Sequence, residues 1–385
     1  MVKHSSRIEL SQSTLKSNIT FLRKIIGKNT RISSVVKANA YGHGILEYVP
    51  MAEKCGINHF SVASSFEAEE VLQVCKPETS IMIMGILYDE DIPWALRHHI
   101  ELYVFNYERL QLILKEAKKL DIKASIHLEV ETGANRTGLV PKEFRQCLTL
   151  MQKNHEFLDF EGLCTHFGGA ETFANDFKIQ KQFRRFKDYY KICQTKKILP
   201  KYRHMASSAA ALSFPDSRFE MVRIGVSQYG FWPSPDVYYH HLTSMGKTSE
   251  NGLKRIFTWK TDVMEVRDID EGEFIGYGTS YQAVRDMKIA VLPLGYSNGY
   301  PRGLSNRGQV LIKGKKARIT GLVNMNLFMV DISHIPDVKV GDEVVLIGRQ
   351  GNNTIHVASF TQTTRLQNQE MMSRLPAAIP RTVVR

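Results

Sequence analysis

Short apolar runs alternate with stretches of helical period through roughly the first 230 residues. The runs are Ile32–Lys37, Phe60–Ala63, Ile81–Gly85, Glu101–Phe105, Ala124–Val130, Phe160–His166, Tyr202–Ser207 and Met221–Tyr229. Between them, Leu15, Ile19, Leu22 and Ile26 fall at helical spacing, as do Leu110, Ile113, Leu114, Ala117 and Leu120. That spacing puts one apolar stripe on each of two helices. Eight strands alternating with helices predict an α/β fold of the (β/α)8 TIM-barrel type, with an open doubly wound sheet as the alternative. The pattern changes over residues 233–254, where Pro233-Ser234-Pro235-Asp236 and Thr248-Ser249-Glu250-Asn251-Gly252 bracket a stretch without clear period. From Phe257 onward, short strands such as Ala290–Leu292, Val310–Ile312 and Val344–Ile347 are punctuated by glycine turns, predicting a second, mainly β C-terminal domain. The expected organisation is an N-terminal strand (1–12) on the second domain, a barrel (13–240), a linker (241–256) and the β domain (257–385). A chain of 385 residues is long enough for two cores.

Composition narrows the function classes. With 43% hydrophobic and 23% charged residues the chain reads as globular rather than disordered. Its formal charge of +12 is scattered in clusters such as Lys181–Arg185 and Lys313–Lys316. No nucleic-acid reading module accompanies them, so solvated faces and attraction for small anions are expected, and no nucleic-acid partner. No apolar run reaches the length of a signal peptide core or a membrane span, so no membrane association is expected. Cys55, Cys75, Cys147, Cys164 and Cys193 lack CxxC spacing. Neither a disulfide framework nor a metal site is expected, and a reducing cytoplasm fits.

The chemistry concentrates in Val35-Val36-Lys37-Ala38-Asn39-Ala40-Tyr41-Gly42-His43-Gly44. A lysine delivered by a buried strand into a glycine-rich loop loses some preference for its charged form. It is then fit to act as a base or to condense with a carbonyl cofactor. Further candidates sit at later strand ends, where a barrel carries its site. They are Arg136 in Glu131–Gly138, His166 in Thr165–Gly169, His204 leading to Ser207-Ser208, and Arg223-Ile224-Gly225. Each has an ordinary reading too: a lone buried histidine is usually structural, Arg223 could pair with any carboxylate, and Ser207-Ser208 could simply cap a helix. Their joint placement at successive strand ends favours a site, with the loops after strands seven and eight suited to phosphate.

The lysine decapeptide and these strand-end residues resemble bacterial alanine racemases over nearly the whole chain. The resemblance implies that Lys37 holds pyridoxal 5′-phosphate (PLP) and serves as one of two catalytic bases. Tyr41, Ser208, Gly225 and Val226 would contact the phosphate, Arg136 the phenolic oxygen, His166 the ring and Arg223 the pyridine nitrogen, with His204 behind it. In the second domain, Gly276–Tyr281 resembles the segment carrying the opposite base, which makes Tyr277 its counterpart. Gly295–Pro301 and Gly321–Asn326 resemble the substrate-side segments and bring in Tyr296 and Met325, with Arg136 also reaching substrate. Two bases on opposite faces suffice to remove and return the α-proton. The resemblance further implies a homodimer with shared sites and D-alanine supply for peptidoglycan.

Three positions depart from the family pattern. Glu129 stands where a carbamylated lysine is common, and its permanent carboxylate could orient Arg136 instead. Asn326 replaces an aspartate, and Gln369 replaces a phosphate-contacting tyrosine. The alternatives to an alanine racemase are a PLP racemase of broader amino-acid specificity and a non-catalytic PLP-binding protein. The second β domain argues against the latter.

Overall fold

A computed structural model describes residues 4–248, 252–364 and 366–385. The chain divides into two compact units. One comprises Ser13–Ala38 and Tyr48–Arg255; the other comprises Met1–Gln12, Asn39–Glu47 and Ile256–Arg385. The segment Asn39–Glu47, expected within the barrel, therefore groups with the second unit.

The second unit begins with β1 (Ser6–Ser11), whose buried and half-exposed positions alternate as a one-sided strand requires. The larger unit carries eight parallel strands: β2 (Arg31–Val35), β3 (His59–Ser64), β4 (Ser80–Ile86), β5 (Glu101–Val104), β6 (Ala124–Glu129), β7 (Leu158–Cys164), β8 (Tyr202–His204) and β9 (Met221–Ile224). They pair in the order β8-β7-β6-β5-β4-β3-β2-β9. The sheet is nearly closed: just beyond β8 the Arg223 amide on β9 donates to the Ala206 carbonyl at 3.0 Å. The barrel expectation is borne out and the open sheet is not. Helices follow the strands and seal its outer face; in Tyr107–Leu120, for example, Leu110, Ile113, Leu114 and Ala117 are buried as their spacing predicts.

Several expectations shift in detail. β2 stops at Val35, two residues before Lys37. β9 ends at Ile224 rather than Tyr229, because tight turns begin at Gly225, with the Gln228 amide on the Gly225 carbonyl at 3.1 Å. The stretch read as lacking period contains a helix, Pro235–Ser244, capped by Ser234 and started by a proline. Residues 249–251, part of the expected linker, lie outside the described residues.

In the second unit, β1 pairs antiparallel with β10 (Phe257–Asp262), aligning Ile8 with Trp259. It is followed by β11 (Glu265–Ile269), β12 (Met287–Leu292), β13 (Gln309–Ile312), β14 (Lys315–Thr320), β15 (Phe328–Asp331), β16 (Glu343–Gln350), β17 (Asn353–Ile355) and β18 (Arg381–Val384). The main sheet runs β11-β12-β15-β14-β13-β16-β10-β1-β18, with β17 beside β16. Its core centres on Tyr300, whose ring stacks on Phe328 with centroids 4.5 Å apart and meets Phe360 edge-on at 5.2 Å.

Candidate active site

Lys37 opens a single helical turn, Lys37–Tyr41, in which Ala38, Asn39, Ala40 and Tyr41 have φ of 53, 53, 52 and 53°. The turn is left-handed, at a cost of about 1–2 kcal/mol for each non-glycine residue. Backbone hydrogen bonds on both sides of the lysine hold it there. Upstream, the Val35 carbonyl accepts from Gln228 Nε2 at 3.0 Å and from Tyr229 OH at 2.9 Å, and the Val36 amide donates to Ser61 O at 2.9 Å. Downstream, the Ala38 amide donates to Glu67 Oε1 at 2.6 Å, while Glu67 Oε2 takes the Ala63 amide at 2.7 Å. Glu67 occupies the third position of the helix Ser65–Leu72, which Ser64 caps.

The Lys37 ammonium itself has no hydrogen bond or ion pair among the described residues. Its side chain is open to solvent at the barrel mouth yet crowded by protein, and this partial desolvation lowers its pKa. Arg136 adds to the lowering, Glu67 opposes it, and Arg223 lowers it further. His166 lies in the same field. Burial first, then Arg223, Arg136 and Lys37, push its pKa down to about 3, so its ring is neutral. Lys37, Arg136, His166 and Arg223 are thus brought together, as the strand-end placement predicts.

Arg223 is 7% exposed and almost saturated. NH1 contacts His204 Nδ1 at 2.6 Å and donates to His204 O at 3.1 Å; NH2 donates to Thr165 O at 2.9 Å and Met205 O at 3.4 Å. Of five N–H donors, only the one on Nε has no partner among the described residues. His204 is fully buried behind this guanidinium, so it reaches a ligand only through Arg223.

The loops after β8 and β9 meet where the Gly225 amide donates to Ser208 Oγ at 2.9 Å. This bond joins Gly225 and Ser208, two of the residues expected at the phosphate. Around it, among the described residues, the buried Ser207 and Ser227 hydroxyls and the Val226 amide have no partner. Unsatisfied donors at such a turn suit a phosphate.

Glu129 differs from expectation. Its Oε2 accepts from Thr137 Oγ1 at 2.8 Å, and no ion pair joins it to Arg136 among the described residues. Burial raises its pKa, and the opposing pull of Thr137, Arg223 and Arg136 does not reverse the shift.

In the second unit, burial raises the Tyr41 pKa to about 12, leaving its hydroxyl protonated. Gly42, next along, passes so close to the chain that a Cβ would lie 2.0 Å from the Met372 carbonyl. Its own carbonyl accepts from Arg381 NH2 at 3.0 Å. Tyr277 sits on a loop closed by the Ile275 amide on Tyr281 O at 3.0 Å, flanked by Gly276 and Gly278 at φ of 80 and 67°. Its side chain is 74% exposed. Asn306 Nδ2 steadies the same loop through Ser280 O at 3.0 Å. Tyr296 and Met325 lie on two segments joined backbone to backbone: the Tyr296 amide reaches Asn324 O at 3.0 Å and the Ser297 amide reaches Met325 O at 3.1 Å. Asn326 Nδ2 donates to Ser297 Oγ at 2.8 Å, and Gln369 Nε2 to Gln367 Oε1 at 2.7 Å.

Sequence reasoning missed Glu67, Gln228 and Arg381. Glu67 carried a readable signal, because Ser64-Ser65-Phe66-Glu67 is a capping-box pattern. Gln228 and Arg381 carried none, since nothing local marks a side chain that reaches across the fold.

A parallel barrel that presents a partly desolvated, unpartnered lysine beside a hydroxyl-lined cradle is the architecture of a lysine-tethered PLP enzyme. The sequence model of the alanine racemase N-terminal domain matches residues 10–233, and that of its C-terminal domain matches residues 256–383. The alanine racemase of Desulforamulus reducens is 34% identical over 378 residues, covering 98% of each chain. That of Halothermothrix orenii is 33% identical, over 97% of this chain and 95% of its own. Among solved structures, the alanine racemase of Clostridium difficile 630 superposes with a TM-score of 0.89 at 28% identity, covering 100% of this chain and 97% of its own. The enzyme from E. faecalis gives 0.87 at 29% identity, covering 99% and 98%. The chain belongs to the alanine racemase family, a family of PLP-dependent isomerases.

Proposed function

We propose that the protein interconverts L- and D-alanine by a two-base mechanism. The observation that carries this reading is the Lys37 ammonium, without a partner among the described residues and lowered in pKa among Arg136, His166 and Arg223. Lys37 would hold PLP covalently. Ser208, Val226 and the protonated Tyr41 would bind its phosphate, joined by the unpartnered Ser207. Arg136 would face the phenolic oxygen, His166 the ring and Arg223 Nε the pyridine nitrogen. When bound, PLP withdraws electrons from the α-carbon of an attached amino acid and acidifies its proton.

The protein's side chains then control where that proton goes. Lys37 Nζ takes or returns it on one face, and its lowered pKa keeps more of the amine in the basic form near neutrality. Tyr277 Oη works on the opposite face, supplied by a second copy of the chain. Its exposure at a loop tip supports that assignment. Arg223 gives up no proton, so a ring nitrogen facing it would stay unprotonated and the ring would withdraw electrons less strongly. Neutral His166 adds no charge beside the ring.

Tyr296, Met325 and Arg136 would line the substrate side. Asn326, bonded to Ser297, puts an amide where the family usually has a carboxylate, which favours tolerance of amino acids beyond alanine as a second reading. The matched β domain argues against a non-catalytic carrier. We place the enzyme in the cytoplasm, a reading supported by five free cysteines, and assign it D-alanine supply for peptidoglycan.

Incubating the PLP-loaded protein with L-alanine, L-serine or L-lysine and separating enantiomers tests the reading. Racemisation of alanine is expected, and its absence sinks the proposal. Mixing inactive Lys37→Ala and Tyr277→Phe chains tests the shared site, because a mixed dimer has one site with both residues. Activity should reappear; no recovery after proven subunit exchange would refute the sharing.

A further inference from the structure

We infer that Glu101 is a positioning residue for Arg223, acting through a one-way chain of hydrogen bonds across the barrel interior. The inference rests on reading Arg223 as the residue that faces the cofactor's ring nitrogen.

Proton bookkeeping begins at the arginine. A guanidinium only donates, so the 2.6 Å contact from Arg223 NH1 requires a bare Nδ1 on His204. Neutral His204 then carries its proton on Nε2, which lies 2.8 Å from His127 Nδ1. That hydrogen bond makes His127 Nδ1 the acceptor and leaves its proton on Nε2. His127 Nε2 reaches Glu101 Oε2 at 2.9 Å, and His59 Nε2 reaches the same oxygen at 2.9 Å. His59 Nδ1 is buried without a partner among the described residues. A bare nitrogen is the less costly state there, because an N–H would be an unsatisfied buried donor. Every hydrogen between Arg223 and Glu101 therefore points toward the carboxylate. One positive and one negative charge close the two ends, with neutral imidazoles between.

Several observations fit this polarity. His59, His127 and His204 are fully buried, and Glu101 is 5% exposed. Burial holds the His204 pKa well below its ordinary value and also lowers that of His59. Burial alone would raise Glu101, but the N–H groups that His59 and His127 turn on its Oε2 favour the ionised carboxylate. On its far side, Glu101 Oε1 lies 4.0 Å from Arg31 NH1, a second fixed cation.

The neighbouring strand is shaped around the chain. A Cβ at Gly162 would lie 2.0 Å from His127 Nδ1 and 2.8 Å from His204 Nε2. Only glycine lets β7 pass the two imidazoles. Tyr103 lies against both rings, with centroids 5.9 Å from His127 and 6.0 Å from His204.

The polarity is what Arg223 depends on. If a donor faced His127 Nε2, that nitrogen would lose its proton, Nδ1 would gain one and His204 would have to reverse in turn. His204 would then present an N–H to Arg223 NH1, and the guanidinium would be pushed from its seat. Glu101 blocks that reversal because a carboxylate offers no donor.

The test combines a tautomer readout with kinetics. Nitrogen-15 NMR of histidine-labelled protein, with and without PLP, should show His59, His127 and His204 neutral with the proton on Nε2. A wild-type protein with the proton on Nδ1 of His127 or His204, or with either ring charged, overturns the inference. Glu101→Gln keeps size but brings in an amide donor. It should lower kcat for L-alanine by about 10- to 100-fold, the scale of one charge-assisted hydrogen bond, with KM changed less than about threefold. Glu101→Asp retains the charge and should recover part of the loss. Wild-type kcat and unchanged imidazole signals in Glu101→Gln would refute the inference. If that variant does not fold, the wild-type tautomers decide. Failure of the wild type to racemise alanine would sink the functional reading while leaving the tautomer test standing.

Discussion

Lys37 and Arg223 stand at the mouth of one barrel, Lys37 two residues past the end of β2 and Arg223 on β9, which pairs with β2 through Ser33 opposite Arg223. The structure fixes them by opposite means. Lys37 is held through its backbone: Gln228 and Tyr229 grip the Val35 carbonyl, and Glu67 grips the Ala38 amide, while the ammonium has no partner among the described residues. Arg223 is held through its side chain, with four of five donors committed. A group that must change partners is placed so that its nitrogen stays available. A charge that must stay in place is tied at nearly every donor.

The sharpest way to break this contrast is to remove the unpartnered group. Lys37→Ala leaves both backbone grips in place, so the barrel should fold with little change in thermal midpoint. Racemisation should fall by about a thousandfold or more, since the variant loses a general base and the cofactor tether. Retained turnover within tenfold of wild type would assign the base elsewhere.

The two sides were unequally legible in the sequence. Lys37 and Arg223 could be singled out because apolar runs lead to them and a barrel keeps its chemistry at strand ends. The left-handed turn after Lys37 was not visible, because alanine and tyrosine have no local preference for positive φ. Glu101, His59 and His127 were hidden for another reason. Parallel barrel strands are buried on both faces, so a polar residue within a run carries no sign of which face it takes. The same ambiguity stretched β9 to Tyr229, since Gly225–Tyr229 is buried almost as fully as the strand before it. Ser234-Pro235-Asp236 was read as the edge of a stretch without clear period, although the same residues also start helices. In the second domain, glycine turns and β-branched runs agreed, and the strands followed.

A smaller effect is expected from loosening the backbone grip. Glu67 accepts the Ala38 and Ala63 amides with separate oxygens. Glu67→Gln keeps one acceptor and turns a donor toward the other amide, which should cost about 1–3 kcal/mol, read by chemical denaturation. The sign of the effect on Lys37 follows from charge. Glu67 raises the lysine's pKa, so its removal should lower it further, and amine-directed modification of Lys37 in the cofactor-free protein should begin at lower pH. A shift to higher pH would show that Glu67 does not act on Lys37 through its charge.

The smallest effect is expected at Glu129, and it runs against the sequence reading, which made this residue the anchor of Arg136. In the structure the carboxyl accepts from Thr137, and burial outweighs the nearby guanidinium groups in setting its pKa. Glu129→Gln leaves an oxygen for the same hydroxyl, so it exchanges a charged acceptor for a neutral one without opening a cavity. Stability should change by about 1 kcal/mol or less and kcat by less than about threefold. Activity should also be indifferent to added bicarbonate in both forms, because no lysine at this position awaits carbamylation. The pH dependence has a definite sign as well. A carboxyl whose folded pKa is raised above its unfolded value favours folding when protonated, so its stabilising effect fades as pH climbs through the raised value. Glu129→Gln has no such titration, and its stability relative to wild type should improve as pH rises. A loss of kcat beyond tenfold, at unchanged KM, would restore Glu129 as the residue that orients Arg136. It would also mean that the arginine swings onto the carboxylate during turnover.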